Sequence, residues 1–176
     1  MTAGDRQRLF FALWPDDATR HAFARLAAAH QACRRARRVA VENIHLTLEF
    51  LGAVDASFRR CAERAAQSLS IPAFELEFNR LGHWPRPRVL WSAPEHTPEA
   101  LSRLVATLRD ALITCGHEPE SRRFHAHVTL ARKVRGPLGD TPHTPLRWRV
   151  SDFHLLASES AGNGVRYASL ARWSLG

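Results

Sequence analysis

The chain has 176 residues, 45% hydrophobic and 24% charged, with a formal charge of +8 and an isoelectric point near 11.0. That balance belongs to a globular protein with one core's worth of length, built as one domain or as one domain of two lobes. No apolar run reaches the roughly 18 residues a membrane helix needs, and the polar, charged opening from Met1 to Arg8 does not read as a secretory leader.

In chain order, Leu9-Phe10-Phe11-Ala12-Leu13-Trp14-Pro15 is an apolar run closed by proline, which fits a buried strand. Asp16 or Asp17 then caps a helix expected to reach about Ala32, with Phe23 and Leu26 on its apolar stripe. Arg34, Arg35, Arg37 and Arg38 form a basic run that suits nucleic-acid contact or a solvated face. A strand follows through His45 to Leu51 and is expected to end at Gly52. A helix over about 55–69 leads to a half-buried strand in which Phe74, Leu76 and Phe78 alternate with Glu75 and Glu77.

The second half repeats this order. Val89-Leu90-Trp91-Ser92-Ala93-Pro94 is again a strand closed by proline. Thr97-Pro98-Glu99 opens a helix in which Leu101, Leu104, Val105, Leu108 and Leu112 keep helical spacing. A strand through His127 to Ala131 comes next. Residues 133–146, rich in Gly, Pro and Thr, read as a loop, and two strands over about 148–157 and 165–174 close the sheet. Nearly equal spans separate the closing proline from the next histidine motif (Pro15 to His45, Pro94 to His127), as in an internal duplication. With no linker or low-complexity segment, the expectation is one bilobal unit over residues 1–176.

Within that frame, His45-Leu46-Thr47-Leu48 and His127-Val128-Thr129-Leu130 say nearly the same thing. At this composition, shuffling yields the pattern roughly 0.1 times per chain. On a strand, side chains alternate faces, so His and Thr share one face while the apolar pair packs behind. Two such strands at a seam supply two imidazoles and two hydroxyls to one cleft. Imidazole titrates near neutrality, so one ring can take a proton from water while the other gives one to a leaving oxygen. Thr47 and Thr129 can donate to non-bridging phosphate oxygens. This is sufficient for opening a 2′,3′-cyclic phosphate, with no metal and no cofactor required. A metal site would want carboxylates, and only Glu49 lies in phase with His45 and Thr47.

Lesser candidates are Phe11, as a base-stacking ring on the cleft floor, and His125, as an RNA contact beside His127. Cys33, Cys61 and Cys115 are odd in number and lack C-x-x-C spacing; they read as thiols in a reducing cytoplasm.

The residues Arg8-Leu-Phe-Phe-Ala-Leu, Glu42-Asn-Ile-His45-Leu-Thr47-Leu-Glu-Phe-Leu-Gly52 and Phe124-His-Ala-His127-Val-Thr129-Leu-Ala-Arg132 resemble the two-histidine (2H) phosphoesterases. So do Ser158-Glu-Ser160 and Tyr167-Ala-Ser-Leu170 near the end. The similarity runs nearly end to end and is specific to the RNA 2′,3′-cyclic phosphodiesterases, first described as 2′-5′ RNA ligases. The family commonly has proline where this chain has Ala40 and Ala126.

The resemblance implies an α+β fold of two pseudo-symmetric antiparallel-sheet lobes, with helices outside and a central V-shaped cleft. It implies hydrolysis of RNA 2′,3′-cyclic ends to 2′-phosphates, reversible 2′-5′ joining, a monomer and no membrane partner. Carried over by position, His45 resembles the general acid and His127 the base, although pseudo-symmetry permits the reverse. Arg132 resembles a phosphate-contacting arginine. Strict alternation would turn it away from His127, so the strand must end or bulge before it. Two other readings stand beside this one. The first is a non-catalytic RNA-binding module. The second is a phosphodiesterase for another cyclic phosphate, such as ADP-ribose cyclic phosphate, or for a 2′-5′ oligonucleotide.

Overall fold

The structure is a computed structural model that describes residues 6–176 apart from positions 137 and 163. Residues 1–5 of the polar opening, and position 137 of the expected 133–146 loop, lie outside the described residues. The strands are β1 (Gln7–Leu13), β2 (Arg37–Arg38), β3 (Leu46–Val54), β4 (Phe74–Trp84), β5 (Val89–Pro94), β6 (Val128–Arg132), β7 (Thr141–Val150), β8 (Asp152–Ala161) and β9 (Gly164–Ser174). The helices are α1 (Asp17–Ala29), α2 (Ala56–Gln67) and α3 (Glu99–Ile113). Every pairing among the described residues is antiparallel, in two sheets of order β3-β1-β8-β9 and β2-β6-β5-β4-β7. The fold is therefore α+β, as expected. No helix among the described residues is long and apolar enough to cross a membrane.

Local chemistry sets the helix ends. Asp16 accepts a hydrogen bond from the Thr19 N–H at 2.7 Å to cap α1. That bond also holds the Asp16 carboxyl below its ordinary range. Asp55 caps α2 through the Ser57 and Phe58 N–H groups, each at 2.9 Å. Helix α3 buries all five of the residues whose spacing marked it. Helix α1 ends at Ala29, short of Ala32, where a single 3-10 turn (Gln31–Cys33) begins.

The lobes do not coincide with the chain halves. Strand β4, from the first half, joins the second sheet, while β8 and β9 return to the first. Helix α1 follows β1 yet packs Phe23 edge-on against Phe78 of β4, with ring centres 4.9 Å apart. Helix α3 follows β5 yet lies over β3 and α2. A continuous buried cluster with residues from both sheets and all three helices forms the main core. The exchange ties the lobes to each other, so their seam is held from both sides.

Several expectations are corrected. Strand β3 runs on through Gly52, which adopts φ +74, to Val54. The expected loop contains the first half of β7. Pro142 and Pro145 sit in that strand because β7 is the edge of its sheet, where one row of N–H groups has no partner strand. The expected strand over 148–157 is two strands in different sheets, parted at Ser151. Cys61 and Cys115 are not thiols but a disulfide between α2 and the end of α3, leaving Cys33 free and buried.

Candidate active site

His45 and His127 each stand just before the strand they introduce, β3 in one sheet and β6 in the other. Their rings are held identically. The Nδ1–H of His45 donates to the Asn43 carbonyl at 2.7 Å, and that of His127 donates to the His125 carbonyl at 2.7 Å. A carbonyl only accepts, so the proton belongs on Nδ1 in both rings and Nε2 is the atom left to titrate. Around His45, that Nε2 meets the Thr47 hydroxyl at 3.0 Å. The His-x-Thr spacing thus places a hydroxyl beside the Nε2 that is left to titrate.

Each imidazole has aromatic neighbours. His45 lies 5.1 Å from Phe10, 5.0 Å from Tyr167 and 6.4 Å from Trp14 between ring centres. His127 lies 4.7 Å from Trp84 and 5.8 Å from His125. Burial in this setting disfavours the charged ring and pushes His45 down to about 4; it lowers His127 as well. Smaller contributions show proximity: His127 and Arg132 both depress His45, and His125 and Arg132 depress His127. The two imidazoles and Arg132 therefore share one electrostatic neighbourhood.

A cavity of about 690 Å³ opens at the seam, lined by His45, Thr129, Arg132, Tyr167 and the cations Arg37, Arg38 and Arg166. Both sheets contribute walls. Arg132 reaches this space because the β5–β6 register slips between Leu90 and Trp91, which resets the alternation after Thr129. The bulge required by the sequence is thus present. The basic run places Arg37 and Arg38 on the cavity through β2, which pairs with Arg132 and Ala131.

Phe11 is not in the cleft. It is 0% exposed in the main core against Phe153 and Trp173, and its neighbour Phe10 takes the cleft face. An uninterrupted apolar run does not reveal which face is which. Glu49 is also out of place. The β1–β3 register slips between Phe11 and Ala12, which turns Glu49 into the protein at 3% exposure. There its carboxylate accepts from Arg109 at 2.6 Å, from His117 at 2.9 Å and from the Glu120 N–H at 3.2 Å. Among the described residues, no group of three or more His, Cys, Asp and Glu is placed to hold a metal ion.

His125 stays beside His127 on the exposed side, 4.9 Å from Trp91. Phe10, Asn43 and Tyr167, which carried the resemblance without a role of their own, lie around His45, and Trp84 and Trp91, which the sequence did not single out, lie near His127 and His125. Asn43 had one legible signal, its position two before His45, matching His125 before His127. Ala40, in place of a family proline, keeps φ −62, a backbone that proline would share.

This geometry agrees with the similarity of the chain to known proteins. The RNA 2′,3′-cyclic phosphodiesterase of Escherichia coli (strain K12) is 34% identical over 171 residues, covering 96% of this chain and 97% of its own length. A protein of that name from Methanothermobacter thermautotrophicus is 29% identical over 93% of this chain and 96% of its own. The crystal structure of E. coli LigT complexed with 3′-AMP superposes with a TM-score of 0.89 at 34% identity, over 97% of this chain and 98% of that one. Residues 15–162 match the profile of the 2'-5' RNA ligase superfamily. The chain therefore belongs to the 2'-5' RNA ligase superfamily.

Proposed function

We propose that the protein hydrolyses RNA 2′,3′-cyclic phosphodiester ends to 2′-phosphomonoesters by acid–base catalysis between His45 and His127, without a metal ion. Nε2 of one imidazole takes a proton from water as the water oxygen bonds to phosphorus. The P–O3′ bond breaks, and Nε2–H of the other imidazolium protonates the departing 3′ oxygen. Each transfer contributes roughly 10²–10⁴-fold. Thr47, Thr129 and Arg132 stabilise the charge that builds on the non-bridging oxygens. The anion between the rings also supplies what burial removes, a partner that favours one protonated imidazole.

The observation that carries this reading is the shared anchoring of the two rings, each with Nδ1–H on a carbonyl and Nε2 left for chemistry. Support comes from relatives named RNA 2',3'-cyclic phosphodiesterase and from E. coli LigT structures complexed with 3′-AMP and with phosphate. When a ribose 5′ hydroxyl replaces water, the same proton transfers give a 2′-5′ linkage, the joining reaction. Each lobe brings one imidazole, so the site is complete in one bilobal chain acting as a monomer.

The test is incubation with each 2′,3′-cyclic nucleotide and with a tRNA half ending in a cyclic phosphate, followed by identification of the product isomer. The 2′-phosphate should form, excess chelator should leave the rate unchanged, and folded His45→Ala and His127→Ala proteins should be inert. Full activity in either variant overturns the proposal. Salt-dependent RNA binding without turnover would indicate a binding module instead.

A further inference from the structure

The surroundings of the two imidazoles differ in chemistry. Arg37, Arg38, Arg132 and Arg166 line the cavity that also takes in His45 and Thr129. Around His127, Trp84, Trp91 and His125 gather. The Trp91 indole lies against Gly82, where any Cβ would run into it. Trp91 is 6% exposed, and Trp84 packs on it with ring centres 5.5 Å apart while remaining only half-buried. This group is a satellite of Val89, Trp91, Ala93 and Trp84, separate from the main core. A large aromatic that stands off the core, supported from below and beside a reactive imidazole, is more than packing.

We propose that Trp84 is the stacking platform for the nucleobase of the nucleotide that bears the cyclic phosphate, with the preceding phosphates of the RNA directed toward the arginine-lined cavity. This rests on the cyclic-phosphodiesterase reading and adds its base subsite. A base lies one ribose away from its 2′,3′-phosphate, which matches an indole centred 4.7 Å from His127. Stacking is tolerant of base identity and stronger for the larger purine surface.

The experiment compares kcat/KM for adenosine 2′,3′-cyclic phosphate with that for 1-O-methylribose 2,3-cyclic phosphate, which has no base. Trp84→Leu should shrink the preference for the nucleotide by about 5- to 150-fold, the range that stacking on one aromatic gives. Trp84→Phe, which keeps a flat ring, should recover most of it. Equal losses on both substrates in Trp84→Leu would make Trp84 a support for His127 and overturn the proposal. Loss of the preference in Tyr167→Leu but not in Trp84→Leu would overturn it too. If the wild type hydrolyses neither compound, the cyclic-phosphodiesterase reading fails by itself. Titration with 2′-AMP, followed by the indole N–H signals, then decides the platform: weaker binding in Trp84→Leu supports it and unchanged binding overturns it.

Discussion

Asn43 treats Tyr167 as a neighbouring strand would. Its side-chain oxygen accepts from the Tyr167 N–H at 3.2 Å, and its amide donates to the Val165 carbonyl at 2.6 Å. The backbone carbonyl of the same residue holds His45. One asparagine thus ties the His45 ring to β9. Asn43→Ala keeps the carbonyl but frees its position, and a misplacement of about 1 Å can cost roughly 100-fold in rate. Turnover should therefore slow by roughly 10- to 100-fold while KM changes far less, with a loss of only about 1–2 kcal/mol in stability. Steady-state kinetics beside a urea melt would check both. A stability loss with turnover intact would show that Asn43 only braces β9.

Glu49 sits on β3 with Thr47, four residues after His45, but serves the opposite face. Its carboxylate, 2% exposed, is paired with Arg109 of α3, so it fastens β3 to the helix above it. Removing one partner of a buried pair leaves the other charge unmatched, a cost of about 3–5 kcal/mol. Glu49→Ala should therefore lower Tm by roughly 10 °C, as that energy does in a domain of this size. At low temperature, turnover per folded molecule should remain near wild type. Differential scanning calorimetry with active-site titration separates the two effects; inactive but equally stable protein would return Glu49 to the cleft.

Cys61 and Cys115 are 54 residues apart in sequence and join α2 to the end of α3. Closing a loop of that length stabilises a fold by about 2–4 kcal/mol, chiefly through the unfolded chain. Protein denatured without reductant should take up one alkyl group per chain, at Cys33, and after reduction three. Cys61→Ser should melt at lower temperature. Three groups taken up without reductant would show that no such bond forms.

What the sequence made legible was periodic. Alternation placed His45 with Thr47 and His127 with Thr129, and helical spacing marked every buried position of α3. What it hid was every departure from period. Two register slips, one in β3 and one in β6, turned Glu49 inward and brought Arg132 onto the cleft. Only the second left a sign, because a cation wanted near His127 fell out of phase. Phe10 and Phe11 could not be told apart because both faces of β1 are buried. The prolines of β7 read as a loop because sheet edges, where proline is tolerated, are a property of topology. The Cys61–Cys115 pair depended on which helices pack together, which short spacing does not encode.

Burial pushes His45 down to about 4, against an ordinary value of 6.5 in the unfolded chain. Between those values the unfolded chain binds the proton and the fold refuses it. The stability contributed by neutral His45 is thus fully present above pH 6.5 and is lost as pH falls toward 4. It amounts to up to about 3 kcal/mol, the upper limit for a ring that keeps an edge on the cleft. His45→Gln should flatten the acid limb of the stability curve over that window. Catalysis gives the complementary sign. The proposed reaction needs one protonated and one neutral ring, yet burial lowers both His45 and His127 in the free protein. The optimum of kcat/KM, which reports free enzyme, should therefore lie below pH 6.5. The optimum of kcat should lie higher, because bound phosphate favours the imidazolium. Parallel pH profiles of the two constants test this, and a kcat/KM maximum above pH 7 would mean that the empty cleft does not strip water from His45 and His127.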